Sequence, residues 1–160
     1  PDIKDGGKYQ LIHITGKGQY SKAKIALENK GIQLEDLGHI KILPYIYNMQ
    51  DAYAAADLVI SRAGALAVSE ISMCGKPSIL IPLHTAAGHH QDYNAKFLKD
   101  HGAAVIIQDK HLSGRVLKET IESIIFNRRC SEDMAESSQS LGKHDALETI
   151  LHEIRNMMKP

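Results

Sequence analysis

Two cysteines, Cys74 and Cys130, are all that the 160 residues contain, and they do not form a C-x-x-C pair. That excludes a disulfide scaffold and a thiolate-built structural zinc site, and it fits a reducing compartment. Net charge is also missing, because 19 Lys and Arg balance 19 Asp and Glu. The chain therefore has no long-range field to draw in nucleic acid or anionic lipid. No apolar run approaches the length of a bilayer span, and no stretch has the pattern of a signal peptide. A basic amphipathic helix of the kind that lies on membranes is absent too. What remains is ordinary for a globular domain: 43% apolar and 24% charged residues, in a length that suits one domain with a real core. The chain opens at Pro1 with Asp-Ile-Lys-Asp-Gly-Gly after it, which reads as a piece of a longer protein.

The organising stretch runs from Asp57 to Pro82. Leu58 to Ile60 reads as a buried strand, Ser61 to Gly64 breaks it, and Ala65 to Cys74 has helical composition. Gly75 stops that helix, and Pro77 to Ile81 is a second buried strand. A crossover of this length makes the two strands parallel. Upstream, Tyr9 to Thr15 is a strand entering the turn Gly16-Lys-Gly18. A helix follows over Tyr20 to Asn29 with Gly31 as its stop, then a strand over Ile40 to Leu43 halted by Pro44. Asn48 or Asp51 is placed to cap a helix through Ala55. Downstream, Asp92 to Lys99 reads as a helix and Ala103 to Ile107 as a strand. Val116, Leu117, Ile121, Ile124 and Ile125 form the stripe of another helix. A last helix over Asp145 to Met157 is expected to bury Leu147, Ile150, Leu151 and Ile154. With no repeat, low-complexity tract or linker, residues 1–160 read as a single α/β domain with a Rossmann-like, mostly parallel sheet flanked by helices.

Three constellations carry chemistry. Thr15-Gly-Lys-Gly18 lets a backbone approach a phosphate, yet it is neither a P-loop nor G-x-G-x-x-G, since Ser21 takes the third glycine position. Judged alone, a plain βα turn explains it better. Ser61-Arg-Ala-Gly64 opens the helix that carries Glu70, and the amides of Ala65, Leu66 and Ala67 are its first unsatisfied donors, suited to a phosphate. Gly64 permits a tight turn there. Glu70 lies one to two turns in, where a carboxylate can accept from vicinal ribose hydroxyls; a solvated surface Glu is the plainer reading. The third is the loop with His84, His89 and His90. It lacks a Cys or paired carboxylate to complete a metal set, so no metal is expected. Gln91 and Asn94, three residues apart, share one helix face and offer the donors and acceptors that sugar hydroxyls need, although capping would explain them as well. No catalytic triad, Cys–His pair or paired carboxylates stand out, so the residues alone describe a binding scaffold.

Taken in order, these segments resemble glycosyltransferase family 28. The residues that carry the resemblance are Asp57-Leu-Val-Ile-Ser-Arg-Ala-Gly-Ala65, Ser69-Glu-Ile71, Gly75-Lys-Pro77, Ile79-Leu-Ile-Pro82, and His90-Gln91 with Asn94-Ala95. His13-Ile-Thr-Gly-Lys-Gly18 and Pro44-Tyr-Ile-Tyr-Asn-Met49 fit the same family's C-terminal domain, and the resemblance covers about Tyr9 to Ile107.

The resemblance implies the donor-binding half of a two-domain GT-B enzyme, an inverting N-acetylglucosaminyltransferase of peptidoglycan synthesis acting on a lipid-linked acceptor. By it, Glu70 holds the ribose of UDP-N-acetylglucosamine, Ile46 covers the uracil with Met49 close by, and Gly18, Leu66 and Ala67 meet the diphosphate. Gln91 and Asn94 meet the sugar hydroxyls. His90 stands where relatives can carry a second glutamine. Ala67 stands where some carry Thr, which leaves only its backbone N–H as a donor. No cofactor or metal is implied, and UDP-N-acetylglucosamine is the donor substrate. The acceptor site and general base would lie in an N-terminal domain outside these residues. By the same resemblance the C-terminal domain itself opens with a strand and a Gly-Gly-Ser-x-Gly-type loop, which nothing before Tyr9 supplies. Catalysis by these residues alone is therefore not expected. The implied place is the cytoplasmic face of the plasma membrane, peripheral and not held through this segment, with no nucleic-acid partner. Other readings are the soluble subunit of a dolichol-linked N-acetylglucosaminyltransferase, a diacylglycerol glucosyltransferase domain, and a non-catalytic nucleotide-sugar-binding module.

Overall fold

A computed structural model of the chain describes residues 8–33, 38–83, 89–143 and 145–158. The chain divides into two compact units, Pro1–Met49 and Gln50–Pro160.

In the first unit, β1 (Leu11–Ile14) and β2 (Ile40–Leu43) form a parallel pair, with Leu11 opposite Ile40 and Ile14 opposite Leu43. The ladder continues past both ends, from Leu11 N–H to the His39 carbonyl and from Thr15 N–H to the Leu43 carbonyl, each 2.9 Å. Between the strands runs α1 (Tyr20–Glu28), followed by the expected Gly31 stop at φ +70.

The second unit takes up α2 (Met49–Ala55), which begins at the unit boundary, and then alternates strictly. Its elements are β3 (Val59–Ser61), α3 (Ala65–Met73), β4 (Ser78–Leu80), α4 (His90–Asp100) and β5 (Ala104–Ile106). A short 3-10 turn over Asp109–His111 leads to α5 (Gly114–Ile125), α6 (Arg128–Ser140) and α7 (Ala146–Met157). Strands β3, β4 and β5 lie side by side in that order, all parallel. All five expected strands are present and pair in parallel, β1 with β2 in the first unit and β3, β4 and β5 in the second. Each hydrogen-bonded ladder among the described residues closes within one unit, and β2 connects to β3 through α2 rather than through a ladder.

The three-stranded sheet is covered on both faces, which is why its strands read as unbroken apolar runs. Leu80 and Ala104 point to one side and pack with Ile71 of α3 and with Ala95 and Leu98 of α4. Ile79 and Ile81 point to the other, with Ile124 of α5 and Met134 of α6. Helix α3 ends in a Schellman arrangement: Gly75 N–H reaches the Ser72 carbonyl at 3.0 Å and Lys76 N–H the Ile71 carbonyl at 3.1 Å. This requires the left-handed φ of +58 at Gly75, a cheap conformation for glycine alone.

Two features depart from the sequence reading. Helix α6 falls in the stretch after Leu112 that reads as helical but shows no apolar stripe of its own, because its buried residues are only Met134 and Ser138 among charged and small ones. It is capped by Asn127, whose side chain accepts from Cys130 N–H at 3.2 Å. The second departure is α7, whose apolar residues were expected to be buried. Leu147, Ile150 and Ile154 are 67, 57 and 47% exposed and Leu151 is half-buried, since no described element of this unit covers that face. No described helix is long and apolar enough to cross a membrane.

Candidate functional site

In a parallel sheet the loops at the carboxyl ends of the strands converge on one edge, where ligands bind. In the first unit those loops hold Gly18, after β1, and Ile46, after β2. They approach each other: the Lys17 ammonium lies 5.6 Å from the Tyr45 ring centroid, and Tyr45 meets Tyr47 edge to face at 5.0 Å. Gly18 is exposed with open space where a Cβ would stand, Ile46 is half-buried and Met49 is exposed at the start of α2. The left-handed turn residue is Gly16, at φ +78, rather than Gly18.

The second unit holds the other five predicted residues. Helix α3 begins after Gly64, which provides no side-chain cap, and its first backbone bond runs from Val68 N–H to the Gly64 carbonyl at 3.0 Å. The amides of Ala65, Leu66 and Ala67 thus precede the helical ladder, as expected, at the positive end of the helix dipole. Leu66 is 74% exposed, and Ala67 is half-buried. Gly64 itself needs no special backbone. Its φ of −65 and ψ of 147 suit any residue, and a Cβ there would meet nothing within 4 Å among the described residues. Its smallness leaves the space over the turn open instead of making the turn possible.

Glu70 is no solvated surface residue. It is half-buried, and its Oε2 accepts a hydrogen bond from the Tyr53 hydroxyl at 3.0 Å, which links α2 to α3. Burial first, then the bond to Glu70 and its negative charge, push the Tyr53 phenol up to about 12. Tyr53 was not singled out in the sequence, where nothing local marks it as a partner of a residue 17 positions away.

Helix α4 begins at His90, two residues earlier than its composition suggests. His89 precedes it in a left-handed conformation, φ +53, with Nδ1 3.3 Å from the Asp92 carboxylate. Predicted residue His84 lies outside the described residues. Gln91 and Asn94 both turn inward with part of their amides. Gln91 Oε1 accepts from Leu83 N–H at 2.9 Å, a bond that uses the amide's acceptor and none of its NH2 donors. Asn94 Nδ2 donates to the Ala63 carbonyl at 3.0 Å, leaving Oδ1 and one N–H. Helix α4 is thereby tied both to the end of β4 and to the turn before α3. Arg62 adds a further tie, donating through Nη1 to the Ile81 carbonyl at 3.2 Å and to Asp109 Oδ1 at 2.6 Å. One side chain thus joins the segments that follow β3, β4 and β5. Arg62 stood in the quoted motif without a role, and Asp109 had no sequence signal at all.

Parallel strands flanked by helices, with an open helix N-terminus, an anchored carboxylate and two oriented amides at the strand ends, define a Rossmann-like α/β domain of the GT-B type. The chain belongs to glycosyltransferase family 28, whose C-terminal domain matches residues 1–150. It is 44% identical over 144 residues to the UDP-N-acetylglucosamine–N-acetylmuramyl-(pentapeptide) pyrophosphoryl-undecaprenol N-acetylglucosamine transferase of Desulforamulus reducens. That match spans 90% of this chain and 39% of the relative. The transferase of the same name from Halothermothrix orenii is 42% identical over 157 residues, 98% of this chain and 42% of its own length. The crystal structure of Acinetobacter baumannii MurG superposes with a TM-score of 0.79 at 31% identity, covering 98% of this chain and 46% of that one. The chain thus spans about two-fifths of the length of the curated relatives it matches.

Proposed function

We propose that the chain is the UDP-N-acetylglucosamine-binding part of an inverting N-acetylglucosaminyltransferase that acts on a lipid-linked acceptor in peptidoglycan synthesis. The observation that carries this is the conjunction on α3: an uncapped first turn for a diphosphate, followed within two turns by a carboxylate held ready for a ribose. Similarity to transferases of that name supports the sugar and the acceptor. In this reading Leu66 and Ala67 amides meet the diphosphate, Glu70 the ribose, and Gln91 and Asn94 the sugar. Gly18, Ile46 and Met49 belong to the first unit, and their roles at the diphosphate and the uracil are what the family resemblance implies.

The reaction forms a bond from the acceptor hydroxyl oxygen to C1 of the sugar while the bond from C1 to the UDP oxygen breaks, with inversion. The hydroxyl proton passes to a base outside these residues. Charge developing on the leaving diphosphate is taken up by the α3 amides and dipole, so the transfer runs without a metal ion or other cofactor. The enzyme works peripherally at the cytoplasmic face of the membrane, where its lipid acceptor is, and has no nucleic-acid partner.

Calorimetric titration with UDP-N-acetylglucosamine, UDP-glucose and UDP in the presence of EDTA tests the donor, and an assay of the intact protein with the lipid-linked acceptor tests the reaction. Saturable binding that favours the N-acetylglucosamine donor is expected, with turnover in the assay. Preference for UDP-glucose would move the chain to a glucosyltransferase, and binding without turnover to a nucleotide-sugar-binding module.

A further inference from the structure

We propose that Tyr53 is a positioning residue for ribose recognition, its phenol holding Glu70 by Oε2 so that Oε1 is presented to the vicinal hydroxyls of the donor. The proposal rests on the reading of Glu70 as the ribose ligand.

The direction of the Tyr53–Glu70 bond is forced. A phenol has one proton to donate and an ionised carboxylate can only accept, so the 3.0 Å contact has one hydrogen-bonded form. The donor is also delivered from a fixed platform. The Tyr53 ring packs on the buried cluster that includes Ala63, Ile71 and Leu80, which holds α3 against the sheet. A glutamate side chain free on a helix face samples several rotamers, and immobilising it costs conformational entropy. Anchoring it before the ligand arrives removes part of that cost from binding. One of the carboxylate's roughly four lone-pair sites is used by the phenol, which leaves enough for two hydroxyls. A simple staple between α2 and α3 would use the same bond, and the two roles separate on the ribose.

The test is binding of UDP and of 2′,3′-dideoxy-UDP to the intact protein and its Tyr53→Phe variant. Phe keeps the packed ring and removes only the donor. UDP is expected to bind about three- to tenfold more weakly to the variant, the worth of one hydrogen bond. The dideoxy analogue, with no hydroxyl for Glu70 to read, should bind both proteins alike. Equal weakening of the two ligands, or none for UDP, overturns the positioning role. A second cycle needs no analogue: in a Glu70→Ala background, Tyr53→Phe should have no further effect on UDP binding, and an added loss overturns the proposal. If Glu70→Ala binds UDP as the natural protein does, the ribose reading itself fails and the proposal with it. If Glu70→Ala weakens binding and Tyr53→Phe does not, only the role of Tyr53 falls.

Discussion

Asn94 donates its side-chain amide to the carbonyl oxygen of Ala63, 31 positions earlier, at 3.0 Å. Ala63 is fully buried and sits in the turn that opens α3, so this bond holds the start of α3 to the first turns of α4. Asn94→Ala leaves that carbonyl without its partner and should lower stability by about 1–3 kcal/mol, the usual cost of an orphaned buried acceptor. Urea unfolding reads this directly. An unchanged midpoint would mean that water replaces the amide and that the turn is held by other contacts.

Glu70→Ala is expected to weaken UDP binding by about 1.5–3 kcal/mol, the range for hydrogen bonds to a charged group. Glu70→Gln, which keeps the shape but not the charge, should fall between the two. Calorimetry on the three proteins checks the order, and equal affinities would remove Glu70 from the site.

The Tyr53 phenol is pushed up from 10.0 to about 12, first by burial and then by Glu70. Because the folded state holds this proton more tightly than the unfolded chain, the bond's contribution is complete below about pH 10 and is lost as pH rises through about 12. The stability difference between the natural protein and Tyr53→Phe should therefore be constant up to about pH 9 and shrink above it. A difference that grows with alkalinity would contradict the sign. In an ultraviolet titration, Glu70→Gln should bring the late tyrosine down towards the others.

Gly75 sits at φ +58, and a Cβ there would stand 3.1 Å from Cβ of Gln139 on α6. Gly75→Ala should cost at least about 1–2 kcal/mol from the left-handed backbone alone, with the contact to α6 adding to it. Gln139→Ala keeps the Cβ that Gly75→Ala would meet, so adding it relieves neither the contact nor the backbone cost. A thermal unfolding midpoint equal to that of the natural protein would refute the conformational argument.

Arg62 and Asp109 are both close to half-exposed, so their 2.6 Å pair is worth little by itself. Asp109→Asn should cost less than about 1 kcal/mol and less still in high salt. Arg62→Ala should cost more, because it also strips the Ile81 carbonyl of its donor. Equal losses for the two variants at all salt concentrations would show that the carbonyl contact contributes nothing.

The sequence by itself determined what is local. Apolar runs with β-branched residues located the five strands of the described residues, and Gly31 and Gly75 marked helix ends because left-handed backbone is written in the residue type. The order of strands and helices implied parallel pairing, and motif spacing pointed to the turn before α3. The tertiary structure alone decided what depends on distant partners. Glu70 is an anchored carboxylate and not a surface charge because Tyr53 reaches it from another helix. Gln91 has its carbonyl oxygen committed within the fold because Leu83 N–H donates to it. Helix α6 hid in the sequence because a helix on the rim of a core needs few apolar residues, and Ser138 is buried against the Ile71 carbonyl where a periodicity argument expects a larger side chain. Helix α7 misled in the opposite direction: an amphipathic period says that a face is meant to be covered, while whether anything in the same unit covers it depends on packing that no period records.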